Sequence, residues 1–322
     1  MLFRLPVLLS IAFGIALLLA PLALDDWRLS QLAQLLTYGL FALSLSFIWG
    51  QAGILCFGQA IFFGVGAYVM ALVTLGKFPM LGDSQLLGLL LATVAAGGVA
   101  IVLGLFLFGG RGITGAHLAV VTLCAAVVIE IAAGRWAFIG GFNGLRGVPP
   151  LTTPWQRDDI YLSGLETYFL VFAVLALVYF FLLWLTQTSF GTLLAAIRSN
   201  EVRTRFLGFD VTKAKLFAFF LSGMVAGLAG ALFAAQFGFV SPQLIGFALS
   251  TEVLIWVAVG GRGVLLAAVV GALLVRWGED QLSDQLGQYW LLATGLLFII
   301  IVVVAPRGLF GRVLDLSVRR KS

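Results

Sequence analysis

Charged residues are scarce in this chain. Lysine, arginine, aspartate and glutamate together make up 10% of its 322 residues, whereas a soluble domain carries about 25%. Hydrophobic residues make up 61% of the chain and its mean hydropathy is +1.11. Several apolar runs exceed the ~20 residues that a helix needs to cross a bilayer. This composition excludes an ordinary soluble domain and predicts an all-α polytopic integral membrane protein.

Residues that bind metals or catalyse hydrolysis are few as well. The two cysteines, Cys56 and Cys124, stand alone in apolar surroundings, and His117 is the one histidine. This pattern indicates neither a disulfide framework nor a metal site. No Ser/His/Asp set is placed for hydrolysis, and the Gly-Lys pair at 76–77 lacks the rest of a phosphate loop. We therefore expect no enzyme activity and no cofactor in this chain.

Apolar runs predict about eight transmembrane helices in a single domain that covers residues 1–322. The predicted spans are 5–24, 31–49, 59–76, 86–108, 113–133, 167–185, 216–237 and 289–305. Two further apolar stretches do not fit this scheme. The stretch 50–58 is too short to span, and 251–275 carries glycines and an arginine in its middle. We predict that both are broken or re-entrant segments.

The distribution of charge predicts the orientation. Cytoplasmic loops of membrane proteins are enriched in Lys and Arg, and residues 186–215 carry five of them against two acids. If 251–275 enters from outside, turns at 260–263 and returns, cytoplasmic segments hold twelve Lys/Arg and three acids, and external segments hold six and nine. The net charge of +5 then reflects topology rather than nucleic-acid binding. Both termini are predicted to be cytoplasmic; a single kinked span with an external tail is the alternative.

Polar and glycine residues within apolar runs are candidates for a translocation path. Irregular backbone at membrane depth must be buried in protein or line a cavity, and transporters place solute sites at such breaks. The alternatives are glycine-mediated packing, glutamines that bond between helices, and acids that are interfacial or paired, as Glu252 with Arg262. Arg262 itself is either a structural anchor or a solute contact. The candidates are Gln51, Gly58, Gln59, Gly64, Tyr68, Glu130, Glu252, Gly260, Gly261, Arg262 and Gly263.

Three other segments have recognisable patterns. Residues 189–215 predict a short amphipathic helix that ends near Gly208, a plausible C-cap, and that either lies on headgroups or docks into a partner. The Gly- and Pro-rich stretch 138–159 predicts an ordered external loop, which meets an external partner, covers a pore mouth or merely connects two spans. Gly223 and Gly227 have the G-x-x-x-G spacing of helix packing.

Five stretches, taken in order, resemble one family. They are AGILCFGQAIFFGVGAYVMAL, GGFNGLRGVPPL, LLAAIRSNEVRTRFLGFDVTKAKLFAFFLSGMVAGLAGALFA, VSPQLIGFALSTEVLIWVAVGGRG and YWLLATGLLFIIIVVVAPRGLFG. Over residues 36–311 they resemble the LivM-type permeases of bacterial branched-chain amino-acid ABC transporters. One departure is Gln59, since the family often has histidine after the glycine at 58, and a role for that histidine does not carry over.

The resemblance implies an importer permease in the bacterial inner membrane that works by alternating access. Its implied partners are a second, LivH-like permease, two cytoplasmic ATPases that bind the ATP, and a periplasmic solute-binding protein. The stretches WVAVGGRG and QYW also resemble urea and short-amide permeases, so urea is the alternative solute. An ion-coupled secondary transporter with Glu130 or Glu252 as carrier is a further alternative. The implied ATPase-coupling residues are Arg198, Asn200, Glu201, Arg203, Arg205, Gly208 and Asp210.

Overall fold

The chain is predominantly helical. A computed structural model describes residues 4–78, 84–109, 115–152 and 161–286, with 289, 292, 295, 296 and 308. The helices are α1 Arg4–Leu19, α2 Asp26–Phe47, α3 Gln59–Thr74, α4 Gln85–Phe108, α5 Ala116–Arg135, α6 Gly164–Gln187, α7 Ser189–Ser199, α8 Glu201–Phe206, α9 Val211–Phe237, α10 Phe247–Gly260 and α11 Leu265–Leu286. The strands are β1 Leu145–Arg146 and β2 Phe239–Val240, and Ile48–Ala52 forms a π-helical turn after α2.

Long apolar helices confirm a polytopic membrane protein. Within the described ranges, five helices are long and apolar enough to span a bilayer: Asp26–Ala52, Gln85–Phe108, His117–Arg135, Gly164–Gln187 and Val211–Phe237. The shorter apolar helices Ser10–Leu22 and Gln59–Thr74 coincide with two other predicted spans. The bent pair α10–α11 raises the number to six if it is one span. The predicted span 289–305 lies almost wholly outside the described residues, so the predicted number of eight is not confirmed.

Chain contacts divide the molecule into two compact units. The first comprises residues 1–46, 163–180 and 253–322, and the second comprises 47–162 and 181–252. The second unit is built on α3, α4 and α9, which pack closely along their lengths. Phe62 and Phe108 both pack edge-on against Phe219, with ring centroids 5.2 and 5.7 Å away. Edge-to-face pairs of this kind stabilise a core beyond simple burial.

Small residues let these three helices approach each other. A Cβ added at Gly227 would collide with Ala96 of α4, and one at Gly223 would lie 2.5 Å from the Cβ of Ala100. On another face of α9, a Cβ at Gly230 would collide with the carbonyl oxygen of Phe63. Helices in lipid associate through such close van der Waals packing. The predicted packing role of Gly223 and Gly227 is thus confirmed.

An ordered loop follows α5 in the second unit. Its strand β1 pairs antiparallel with β2, which follows α9, with Leu145 opposite Val240. The side chain of Gln85 accepts a hydrogen bond from the Thr152 amide and donates one to the Pro150 carbonyl, both at 2.7 Å. The predicted order of the 138–159 loop is therefore confirmed up to Thr152, and 153–160 lie outside the described residues.

In the first unit, hydrogen bonds connect α6 to α1 and to the start of α2. The carboxylate of Asp26 accepts hydrogen bonds from the amides of Gly164 (3.3 Å) and Leu165 (2.9 Å) at the start of α6. The hydroxyl of Tyr168 donates to the carbonyl of Leu17, at 2.6 Å. Asp26 thereby satisfies helix N-terminal amides and places a negative charge at the positive end of the α6 dipole.

Candidate functional site

The predicted coupling segment is two helices rather than one. The chain breaks at Asn200, whose extended backbone (φ −159°, ψ 101°) ends α7 and precedes α8. The Asn200 side-chain oxygen accepts a hydrogen bond from the Arg203 amide at 2.9 Å. Asparagine is a strong N-cap, because its side chain satisfies an amide that has no partner within the helix. The prediction of one helix was wrong here because periodicity alone does not detect an internal cap.

The end of α8 and the start of α9 follow the sequence prediction more closely. Gly208 has φ +88° and lies just beyond α8, in the left-handed conformation that favours glycine at a helix C-terminus. Asp210 then caps α9 by accepting the Lys213 amide at 3.0 Å, and its carboxylate lies 3.1 Å from the Lys213 ammonium. The hydrogen bond from the Lys213 backbone amide, and then the one from the Lys213 side chain, lower the pKa of Asp210. The cap is therefore fully formed at neutral pH. It is lost only when the pH falls below the ordinary pKa of an aspartate and the Asp210 carboxylate is protonated.

Glu201 lies at the centre of a small charge network. Its carboxylate forms an ion pair with Arg205 at 3.3 Å, one turn along α8, and a closer one with Lys215 of α9. Lys215 is only 6% exposed, and its ammonium lies 5.7 Å from the centre of the Phe108 ring at the end of α4. Arg203, by contrast, is exposed on α8. The network joins α8 to two membrane helices.

The irregular stretch 50–58 lies against the coupling segment. The guanidinium of Arg198, near the end of α7, donates a hydrogen bond to the Gly50 carbonyl within the π-turn. The aliphatic stem of Arg198 covers Gly53, whose φ is +73° and whose added Cβ would lie 2.8 Å from Arg198 Cγ. Gln51, within the same turn, is half-buried. The predicted break is therefore confirmed, and it adjoins the coupling segment.

At the start of α3 the predicted path residues make specific packing contacts. Gln59 is fully buried, and its amide nitrogen donates to the Ser222 hydroxyl of α9 at 2.8 Å. A Cβ at Gly58 would lie 2.8 Å from the carbonyl oxygen of Thr122, and one at Gly64 would collide with Ile245. These contacts are interhelical packing, which the sequence offered as the alternative to a role in a translocation path. The translocation path itself stays a prediction.

Tyr68 and the two intramembrane acids lie in different settings. Tyr68 of α3 is buried, and its hydroxyl has no hydrogen-bond partner within the described ranges. Glu130 is half-buried near the end of α5, and a Cβ added at Gly246 would collide with its carboxylate, of which Oε2 is the nearest atom. Gly246 immediately precedes α10, so this carboxylate faces a helix N-terminus, where negative charge is favoured. Glu252 lies half-buried in α10.

The helix break at residues 260–263 occurs where the sequence predicts it. Helix α10 ends at Gly260, α11 begins at Leu265, and the two helices are bent by 117°. Gly261 has φ +130°, and a Cβ at Gly260 would collide with the carbonyl of Ala267. Arg262 and Gly263 are exposed in the turn. The bend accords with re-entry, which stays a prediction together with the Glu252–Arg262 ion pair.

Sequence reasoning missed a polar cluster in the first unit. If 251–275 re-enters from outside, the sequence predicts 276–288 as an external segment before the span 289–305; in the structure α11 continues through this stretch to Leu286. Its Arg276 binds Glu279 at 3.0 Å and lies 4.0 Å from Asp280. The i,i+3 and i,i+4 spacing of these charges is typical of a helix and could have identified it.

The same cluster lies well inside the span that begins with α2. The Arg276 guanidinium lies 4.5 Å from the centre of the Tyr38 ring, and Tyr38 is twelve residues into α2, about 18 Å of helical rise. The Trp256 ring lies 5.3 Å from Tyr38 and is fully buried. Glu279 is 5% exposed. A buried ion pair at this depth has to be satisfied within the protein.

Comparison with known proteins identifies the family. Residues 28–305 match the family described as branched-chain amino acid transport system / permease component. This chain belongs to that family. It is 30% identical to the high-affinity branched-chain amino acid transport system permease protein LivM of Salmonella typhimurium, over 84% of this chain and 67% of that protein. This assignment confirms the predicted resemblance.

Two other relatives of this permease differ in coverage. The high-affinity branched-chain amino acid transport system permease protein BraD of Pseudomonas aeruginosa is 24% identical over 86% of this chain and 92% of its own. The autoinducer 2 import system permease protein LsrC of Klebsiella pneumoniae is 38% identical over 27% of each chain. No solved structure matches this permease significantly. Among the described residues, no group of three or more His, Cys, Asp or Glu side chains is placed to hold a metal.

Proposed function

We propose that this permease is the membrane subunit of an ATP-binding-cassette importer for branched-chain amino acids, and that it works by alternating access in the bacterial inner membrane. The family match over residues 28–305, and the likeness to LivM and BraD over 84% and 86% of this chain, support this proposal. The geometry adds one observation that carries it: an ordered helical segment, α7–α8, that is bonded to the ends of two spans, Asp26–Ala52 and α9.

The proposed partners follow from this role. A second permease would complete the membrane part, two cytoplasmic ATPases would bind and hydrolyse ATP, and a periplasmic binding protein would deliver the solute. The segment 198–210 would dock an ATPase, with both chain termini on the same, cytoplasmic side. Exposed Arg203, Arg205 and Phe206 on α8 offer charge and apolar surface for such a contact. We propose no cofactor and no nucleic-acid partner for this subunit.

Reconstitution of the complete transporter in proteoliposomes tests this function. We expect radiolabelled leucine to be taken up only when two conditions hold together. ATP must be present on the side of the membrane that carries the ATPases, and the binding protein must be present on the opposite side. A tenfold excess of unlabelled urea should not compete, whereas isoleucine should. Competition by urea and not by isoleucine would assign the chain to the urea class instead. Uptake by this chain alone, driven by a proton gradient, would replace the proposal with an ion-coupled transporter.

Gly208 provides a test of the docking surface. We expect Gly208→Trp to abolish ATP-driven uptake while the protein stays in the membrane, because the exposed loop would carry a bulky ring in a left-handed conformation. No atom lies within 4 Å of an added Cβ at this position, so a side chain meets no steric clash and its cost comes from the left-handed backbone alone. Gly208→Asn is the matched control, since asparagine adopts this conformation more readily. Normal uptake by the Gly208→Trp variant would remove Gly208 from the docking surface.

A further inference from the structure

We propose that Arg198 and Lys215 are positioning residues that transmit movement of the coupling segment to the membrane spans. Arg198 connects α7 to the π-turn at the end of the second span, and Lys215 connects α8 to α9 and α4. This inference rests on the proposed function and extends it, because it assigns a route within the chain from the docking surface to the spans.

The two halves of the segment can move separately because they join at a single extended residue. Asn200 is the last residue before α8 and the first after α7, and its backbone is in the β region. The Asn200 side chain is committed to the α8 amide of Arg203. A force on α8 therefore reaches α7 through one backbone junction, and each half needs its own connection to the spans.

Arg198 supplies the connection of α7. Its guanidinium donates to the carbonyl of Gly50, and its stem packs on Gly53. Residues Asp26–Ala52 form one continuous candidate span, so a displacement of α7 acts directly on the end of that span. Glycine at position 53 is required twice, by its φ of +73° and by the close approach of the arginine. Such a contact is specific to this pair and is not a general feature of a basic loop.

Lys215 supplies the connection of α8. Its ammonium binds the Glu201 carboxylate and lies over the Phe108 ring, so it joins the first residue of α8 to α9 and to the end of α4. Lys215 is buried, whereas Glu201 is 24% exposed on its side chain. A charge pair screened from water is stronger than a surface pair, and it is therefore able to carry a displacement.

A cavity of about 510 Å³, lined by polar and apolar groups in similar measure, lies between these two connections. Ala52–Leu55 line one wall, Ile197–Glu201 line another, and Lys215, Gly115 and Leu118 complete it. Arg198 already contacts Gly50 and Gly53, and the cavity leaves room for Asn200 and Glu201, which also line it, to shift relative to that contact. The arrangement of two charged connections across an open space suits a joint that moves rather than a packed core.

The experiment measures solute uptake and ATP hydrolysis together in the reconstituted transporter. Wild-type transporter must first show ATP-driven leucine uptake, and its failure to do so would contradict the proposed function and not this inference. We expect Arg198→Gln and Lys215→Met to hydrolyse ATP while uptake per ATP falls roughly 5- to 150-fold, the range of coupling between two sites. Thr192→Ala, an exposed change on α7, is the control and should behave as wild type.

Two further variants separate transmission from simple loss of structure. The exchange Glu201→Lys with Lys215→Glu should recover uptake per ATP relative to Lys215→Met, because the ion pair is restored with its charges reversed. Gly53→Ala leaves Arg198 intact but displaces its stem, so it should uncouple ATP hydrolysis from uptake in the same way as Arg198→Gln. If Arg198→Gln fails to assemble, Gly53→Ala tests the role of the Arg198 contact in its place. Two results would overturn the proposal. One is that Gly53→Ala and Lys215→Met take up as much solute per ATP as the wild type, and the other is that both variants lose ATP hydrolysis and uptake to the same extent.

Discussion

Replacement of Gly230 by valine is expected to prevent the α3–α9 interface from forming. A Cβ at Gly230 would collide with the Phe63 carbonyl oxygen and lie 2.7 Å from the Phe63 carbonyl carbon, and both atoms belong to the backbone. Backbone cannot rotate away as a side chain can, so the helices would have to separate. Overpacking of a core costs about 1–3 kcal/mol where side chains can adjust, and we expect this variant to reach at least the upper end of that range.

The measurement is the thermal midpoint of the detergent-solubilised protein, followed by loss of the monodisperse peak in size exclusion. Gly98→Ala is the matched control, because Gly98 is also helical but no atom lies within 4 Å of its added Cβ. Alanine is favoured over glycine in a helix interior by about 1 kcal/mol, so this control should be unchanged or slightly more stable. A thermal midpoint for Gly230→Val equal to that of Gly98→Ala would show that the interface adapts and would contradict the prediction.

Removal of Arg276 alone is expected to destabilise the protein more than removal of its whole ion pair. Arg276→Met leaves the 5%-exposed Glu279 carboxylate without this cation. Breaking one side of a buried pair costs about 3–5 kcal/mol, whereas exchange of both partners for apolar residues is often neutral or stabilising. The variant with both Arg276→Met and Glu279→Met should therefore melt at a higher temperature than Arg276→Met.

Thermal midpoints of the two single variants and the double variant form a double-mutant cycle that checks this expectation. Asp280→Asn is a suitable control, since its carboxylate is largely exposed and 4.0 Å from the guanidinium, and surface pairs contribute at most about 1 kcal/mol. If the double variant is no more stable than Arg276→Met, the cation stabilises the fold through its contact with the Tyr38 ring rather than through Glu279.

The features that the sequence predicted well are those set by local backbone chemistry. Glycine at 208 ends a helix, the glycines at 260–263 interrupt one, and the small residues at 223 and 227 permit close packing, because each effect depends on the residue itself. The composition was likewise enough for the class of protein, since membrane spans require long apolar helices.

The features that it did not predict depend on partners distant in the chain. The bond between Arg198 and Gly50 joins residues that are 148 positions apart, and nothing in either local sequence indicates the other. The continuation of α11 to Leu286 was not predicted because the charge count assigned the acidic residues of 276–288 to an external segment. In the structure the Glu279 side chain is buried beside Arg276. The Asn200 break was obscured because amphipathic periodicity continues on both sides of it.

The packing of α3, α4 and α9 also has a consequence for biosynthesis. Helix α4 ends at Phe108 and α9 ends at Phe237, so about 130 residues are translated between them. At roughly 5–20 residues per second, the ribosome needs about 6–26 s for that stretch. During this interval Ser222 is not yet in place, and its hydroxyl is the group to which the Gln59 side-chain amide donates. The α3–α4 pair therefore enters the membrane before the helix that completes its packing, and it is at this stage of synthesis that we expect the permease to depend most on insertion factors.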